Sequence, residues 1–204
     1  MVEGSLASLV NLTFLENVNV TLNAMTGTLP EFFFTHPSLT QIDLKHNRFF
    51  GSISNSLGKS SQLRVFWARN NSLTGTIPSA VGQSWVLGSL SLTSNQLTGK
   101  IPDFTSSSGM WDLHLGQNKL TGTIPATIGS ISSLKTLDLA GNGNDGRIGI
   151  RGSIPSELGK CQNLYYLFLD NNTLAESIPP ELGSIPALQY LFVASNGLTG
   201  TIPV

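Results

Sequence analysis

One string recurs along almost the whole chain, and it limits the possible fold more than any composition value does. In residues 110–133 it reads MWDLHLGQNKLTGTIPATIGSISS. As a template this is apolar–x–x–Leu–x–Leu–x–x–Asn–x–Leu–Thr–Gly–x–Ile–Pro–x–x–Ile–Gly. Copies start at Leu15, Leu39, Leu63, Leu87, Met110, Leu134, Leu164 and Leu188, spaced by 24, 24, 24, 23, 24, 30 and 24 residues. The ninth position is Asn23, Asn47, Asn71, Asn95, Asn118, Asn142, Asn172 and Asn196, without exception. A fixed period of this length marks a repeat architecture.

The residues of one unit explain its shape. Alternating apolar positions in L-x-x-L-x-L suit a short strand with one buried face. An asparagine carries two donors and an acceptor, so it can satisfy the backbone where the chain leaves the strand. Stacking should gather these amides into a buried ladder, each contributing about 1 kcal/mol net. In the second half, Gly permits a turn and Pro fixes φ. Pro155-Ser156-Glu157-Leu158-Gly159 reads as a helical turn that Pro begins and Gly closes. One unit cannot bury its single apolar edge alone. Units must pile on one another, which makes an α/β solenoid.

The 24-residue unit with L-T-G-x-I-P resembles the plant-type leucine-rich repeat. That family includes ectodomains of receptor-like kinases and receptor-like proteins, and secreted inhibitors of polygalacturonases. The resemblance covers residues 15–204. It implies a right-handed superhelix with a concave parallel β-sheet, and short 3-10 or helical turns and loops on the convex side. It also implies an extracellular or cell-surface ectodomain that binds a protein, peptide or glycan, with a co-receptor as a further partner. One such scaffold serves many ligands, so the fold alone does not choose among them.

Composition removes other classes. Only 11% of the 204 residues are charged and the net charge is −1, so no basic face for nucleic acid is expected. No run of about 18 apolar residues suggests a membrane span. No metal-binding spacing or cofactor motif occurs. The single cysteine, Cys161, excludes an internal disulfide. It stands where other units have Ile131 or Ile185, and is expected to be a small buried apolar residue.

The organisation expected is a partial repeat over residues 1–14 and one array of about eight repeats over 15–204. Ser5-Leu6-Ala7-Ser8-Leu9 is similar to the end of later units. No signal peptide is expected at the start, and the last unit stops early at Thr201-Ile202-Pro203-Val204. These ends suggest a piece of a longer array. Three departures from the template stand out. Unit two has Phe49-Phe50 for Leu-Thr and Ser54 for Pro. Unit seven has Glu176 for Gly. Unit six carries six extra residues around 143–149, expected to bulge after the asparagine as a tolerated loop. Candidate glycosylation sequons begin at Asn11, Asn19, Asn70 and Asn171. The last two precede a ladder asparagine and are expected to be exposed.

Function should sit on the outward columns of the sheet. The third position gives Asn17, Gln41, Val65, Ser89, Asp112, Thr136, Tyr166 and Tyr190. The fifth gives Asn19, Asp43, Trp67, Ser91, His114, Asp138, Phe168 and Phe192. The seventh gives Thr21, Lys45, Arg69, Thr93, Gly116, Ala140, Asp170 and Ala194. Tyr166, Phe168, Tyr190 and Phe192 should form an exposed aromatic cluster, with Tyr165 at its edge, of the kind that anchors interfaces. Lys45, His46, Arg64, Trp67 and Arg69 could grip a carboxylate or a sugar, with Trp67 stacking on a ring. His114, between Asp112 and Asp138, reads as a polar patch whose protonated form the carboxylates favour. Ser91, His114 and Asp138 share a column in the order of a nucleophilic triad. An open sheet supplies neither an oxyanion hole nor a dry cleft, so catalysis is not expected. The concave-face candidates are therefore Trp67, Arg69, His114, Asp138, Tyr166, Phe168, Tyr190 and Phe192, in a recognition module. The competing reading is a structural or adhesive repeat protein without a defined ligand.

Overall fold

The computed structural model describes residues 6–106, 109–143, 146 and 148–202. Eight strands form one parallel sheet in chain order: Asn17–Asn19, Gln41–Asp43, Val65–Trp67, Ser89–Ser91, Asp112–His114, Thr136–Asp138, Tyr166–Phe168 and Tyr190–Phe192. Every strand pairs with the next repeat's strand at the same template position, as in Asp43 opposite Trp67 and Asp138 opposite Phe168. Parallel strands need long crossovers, and each repeat supplies one.

The inward residues are the template's apolar ones. Ile42, Phe66, Leu90, Leu113, Leu137 and Leu167 are fully buried, as are Leu44, Leu92, Leu115, Leu139 and Leu169. Together with the repeat-start residues they make one continuous core from Val18 to Ile185. Burying each such side chain is worth about 2–3 kcal/mol.

Beside that core runs the asparagine ladder. Asn95 shows its full pattern. Its Oδ1 accepts from the Leu73 N–H of the preceding repeat at 3.0 Å. Its Nδ2 donates to Leu92 O in its own repeat at 2.9 Å and to Ala68 O in the preceding one at 3.0 Å. Asn47, Asn71, Asn118, Asn142, Asn172 and Asn196 make the same set. Asn142 is only 1% exposed, whereas Asn23 is exposed and, among the described residues, its amide bonds within its own repeat, to Val20 O and Thr21 O. The ladder is thus buried in the middle and open at its first rung.

The residue just before each ladder asparagine lies in the left-handed region. These are Leu22, His46, Asn70, Ser94, Gln117, Gly141, Asn171 and Ser195, with φ from 52° to 73°. Asparagine tolerates that conformation better than most residues, which accounts locally for Asn70 and Asn171.

On the far side, the structure departs from expectation in two ways. The L-T-G segments are not plain loops. They pair as a second parallel ribbon: Thr26–Thr28, Arg48–Ser52 and Ser72–Thr74; Thr98–Lys100 with Lys119–Thr121; and Arg151–Gly152 with Thr173–Leu174. Single bridges, Thr76 to Thr98 and Gly122 to Ile150, link the three pieces. These segments are too short and too rich in Gly to show a period of two. The second correction concerns the turns. Pro155 caps the 3-10 turn Ser156–Lys160 from outside, extended at ψ 129°, and Gly159 lies within the turn rather than ending it. Glycine is required there by close approach. A Cβ on Gly129 would fall 2.2 Å from Glu157 O of the next repeat, and one on Gly159 2.7 Å from Glu181 O.

The departures from the template find physical reasons. Ser54 replaces the capping Pro with a side-chain cap, its Oγ accepting from the Ser56 N–H at 3.2 Å. Phe49 fills the core slot of Leu while Phe50 is exposed. Among the described residues the fourth repeat has no helical turn; Phe104 plugs its core position instead, its N–H donating to Thr127 Oγ1 at 3.0 Å. The six-residue insertion lies between Asn142 and Ile150, and both flanks keep their template roles. Asn144, Asp145 and Arg147 of that insertion lie outside the described residues, as do residues 1–5, Pro203 and Val204. The 3-10 turn Leu6–Asn11 precedes Leu15 as Ser156–Lys160 precedes Leu164.

Candidate functional site

The outward columns divide into a polar half and an aromatic half. In the polar half, Lys45, Trp67, Arg69, Ser89, Ser91, Thr93, Asp112, His114 and Asp138 line a shallow concavity of about 320 Å³. Its two sides carry opposite charge. Lys45 and Arg69 stand just past strands two and three; strands five and six contribute Asp112 and Asp138.

The basic side is held by local contacts. Lys45 Nζ lies 3.0 Å from Asp43 Oδ2 and 4.4 Å from the centre of the Trp67 ring. The Trp67 Nε1–H donates to Ser89 Oγ at 2.8 Å. An ammonium therefore covers one face of the ring expected to stack on a sugar. These contacts also bury Asp43 and Ser89. Arg69 is exposed, its Nη2 3.2 Å from His46 Nε2. Arg64 is exposed just before the third strand, and neither it nor His46 lines the concavity.

On the acidic side, Asp138 leans across its neighbours. Its Oδ1 accepts from the Ala140 N–H at 3.1 Å, and its Oδ2 accepts from Thr93 Oγ1, two strands away, at 3.4 Å. His114 Nδ1 stands 3.7 Å from the same oxygen, beyond hydrogen-bonding range. This lean depends on Gly116, where a Cβ would fall 2.6 Å from Asp138 Oδ1. The sequence pattern placed Gly116 in the column but gave no sign of that role. Ser91 is buried, and among the described residues it makes no hydrogen bond to His114. The three residues that share a column do not assemble into a relay.

The aromatic half adjoins at Asp138, whose strand partner is Phe168. Tyr166 stacks on Tyr190 with ring centres 4.8 Å apart, and Phe168 on Phe192 at 5.1 Å. Tyr166 and Phe168 are also near-parallel at 5.7 Å. Tyr165 closes the edge through Tyr190 at 5.5 Å, and its hydroxyl donates to Gln189 Oε1 at 2.6 Å. Tyr190 and Phe192 remain 42% and 45% exposed. Four rings therefore make a flat apolar wall facing water, as the alternation of Y-x-F in two successive strands led one to expect.

Other candidates fall elsewhere. Cys161 is fully buried with Sγ 3.5 Å from Ile128 O, and burial pushes its thiol up to about 11. Asn11, Asn19 and Asn171 are exposed. Asn70 is only half-buried rather than open, because its Nδ2 turns onto the His46 ring, 3.1 Å from Nδ1. Among the described residues no cluster of His, Cys, Asp or Glu could hold a metal ion, and no helix is long and apolar enough to cross a membrane.

Comparison with known proteins gives a consistent picture. The Leucine Rich Repeat family profile matches residues 38–60, 62–84, 133–161 and 163–185. A plant peptide hormone receptor, RGFR1, solved in complex with RGF2, is 30% identical, with a TM-score of 0.88 over 96% of this chain and 30% of that one. The Arabidopsis receptor kinase HAESA, solved with the peptide hormone IDA and the co-receptor SERK1, is also 30% identical, with a TM-score of 0.87 over 96% of this chain and 32% of that one. The chain thus spans roughly a third of the length of these receptor structures. A plant ice-binding protein, 24% identical with a TM-score of 0.69 over 96% of this chain and 69% of its own, shares the fold.

Proposed function

Because this chain is a leucine-rich-repeat protein with repeats of the plant type, we propose that it is a recognition module holding an extended peptide on its concave face. The observation that carries this reading is the stacked wall of Tyr166, Phe168, Tyr190 and Phe192. Nothing in the repeat template calls for rings at outward positions, and apolar area held in water costs free energy until a partner covers it. Stacked aromatics are common anchor points of interfaces. Trp67, Arg69, His114 and Asp138 supply the polar remainder of the site. Binding needs no chemistry at these groups.

The peptide hormones and the co-receptor belong to the solved receptors named above. Their likeness supports a peptide over a glycan here. It also supports an extracellular or cell-surface setting, and a co-receptor as a further partner. Display of random dodecapeptides against the immobilised chain tests the reading. Wild type should enrich peptides that the Phe168→Ala/Tyr190→Ala protein fails to retain. The far-ultraviolet spectrum and unfolding midpoint of that variant should stay close to wild type, since surface truncations usually cost little. Equal retention by both proteins would leave a scaffold without a defined ligand on this face.

A further inference from the structure

The concave face is ordered by charge as well as by shape. Its cations, Lys45 and Arg69, lie two residues past strands two and three, and Lys45 is already partnered by Asp43. Two carboxylates, Asp112 and Asp138, line the opposite side of the same concavity, with His114 Nδ1 3.7 Å from Asp138 Oδ2. Asp170 follows just past strand seven, its Oδ1 accepting from the Ala194 N–H at 2.8 Å. The aromatic wall comes last. Resting on the recognition reading above, we propose that this face selects an extended peptide by a fixed order of side chains. An acidic residue docks at Arg69, a basic one at Asp112 and Asp138, and an aromatic or large aliphatic one on the Tyr166–Phe192 wall.

Geometry sets the spacing. Neighbouring strands lie about 4.8 Å apart and residues about 3.3 Å apart along a strand, so the backbone of Arg69, two residues past strand three, stands roughly 16 Å from those of Asp112 and Asp138 on strands five and six. The wall on strands seven and eight begins about 5–10 Å further on. An extended chain advances about 3.3–3.6 Å per residue. The acidic and basic side chains should therefore be about four to five residues apart, and the basic and apolar ones about one to three. Gly116 belongs to this device as a positioning residue. It lets the Asp138 carboxylate swing over strand five into the concavity instead of standing above its own strand. A patch of one charge would accept many peptides in many registers. Opposed charges at a fixed distance add repulsion against peptides carrying the reverse order.

The test reads the dodecapeptides enriched by the wild-type chain, with those held by the Phe168→Ala/Tyr190→Ala protein subtracted. The expected consensus is acidic, then basic, then aromatic at the spacing above, in a single chain direction. A synthetic peptide of that consensus should bind at least tenfold more tightly by titration calorimetry than the same peptide with its two charges exchanged. The double variant Arg69→Glu/Asp138→Lys should invert that preference. Arg69→Glu/Asp112→Lys serves as a second swap that leaves the Asp138 contacts intact. Enriched peptides that need the aromatic wall but show no charge order would overturn the ordering and leave peptide recognition standing. Equal binding of the charge-exchanged peptide would do the same. No wall-dependent enrichment would overturn both.

Discussion

Along the fifth strand, Leu113 points into the stack while its chain neighbours Asp112 and His114 point out of it. The two faces obey different constraints. Inward columns repeat one residue class through the array, because every coil presents the same slot to the next. Outward columns change class from strand to strand, from Asp43 to Trp67, Ser91, His114, Asp138 and Phe168. Stability is therefore carried by a lattice of equivalent contacts, and selectivity by positions that the lattice leaves free. Each can be altered with little effect on the other.

Substitutions sharpen that comparison in descending order of effect. Asn142→Ala should cost about 3 kcal/mol, because it removes several bonds and leaves the buried Leu120 N–H without a partner. Asn23→Ala, at the open rung, should cost under about 0.5 kcal/mol. Denaturant midpoints of the two variants check the difference, and equal losses would mean that the ladder does not depend on its neighbours.

Next comes the interior of the turns. Gly129→Ala must displace the Glu157 backbone and should cost about 2 kcal/mol. Gly183→Ala, where no atom lies within 4 Å of the added carbon, should be neutral. Glu176 offers a gain. It occupies a left-handed site, φ 67°, that is glycine at the matching position of the other repeats, such as Gly152 at φ 79°. Glu176→Gly should stabilise the chain by about 1 kcal/mol, read as a raised midpoint.

The smallest effects are chemical. Burial holds the Cys161 thiol at about 11 against an ordinary 9.0, so folding favours its neutral form. That contribution is complete below the ordinary value and is lost as pH rises through about 11. Wild type should lose stability between those limits by more than Cys161→Ala does. Alkylation by iodoacetamide at pH 8 should be undetectable until the chain unfolds.

The inward half of the molecule was largely legible in the sequence. Strand positions, register and the ladder all follow from a period of 24 residues and an asparagine at its ninth place. Repetition makes the signal redundant, and each copy corrects the others. Single events were harder to read. Gly116 is a one-off whose meaning depends on an aspartate 22 residues away. The cover of Lys45 over Trp67 depends on two strands meeting. The second ribbon stayed hidden because its segments are short and glycine-rich.

What the sequence determined by itself is the coil, its period and the side of each strand that is buried, since all three follow from local alternation repeated eight times. Only the tertiary structure decided which outward residues remain available. Stacking buried Asp43, Ser89 and Ser91 while leaving Arg69 and Tyr166 to solvent. The reason is physical: exposure on a sheet is set by the bulk and charge of side chains on neighbouring strands, and in this chain those neighbours lie more than twenty residues away.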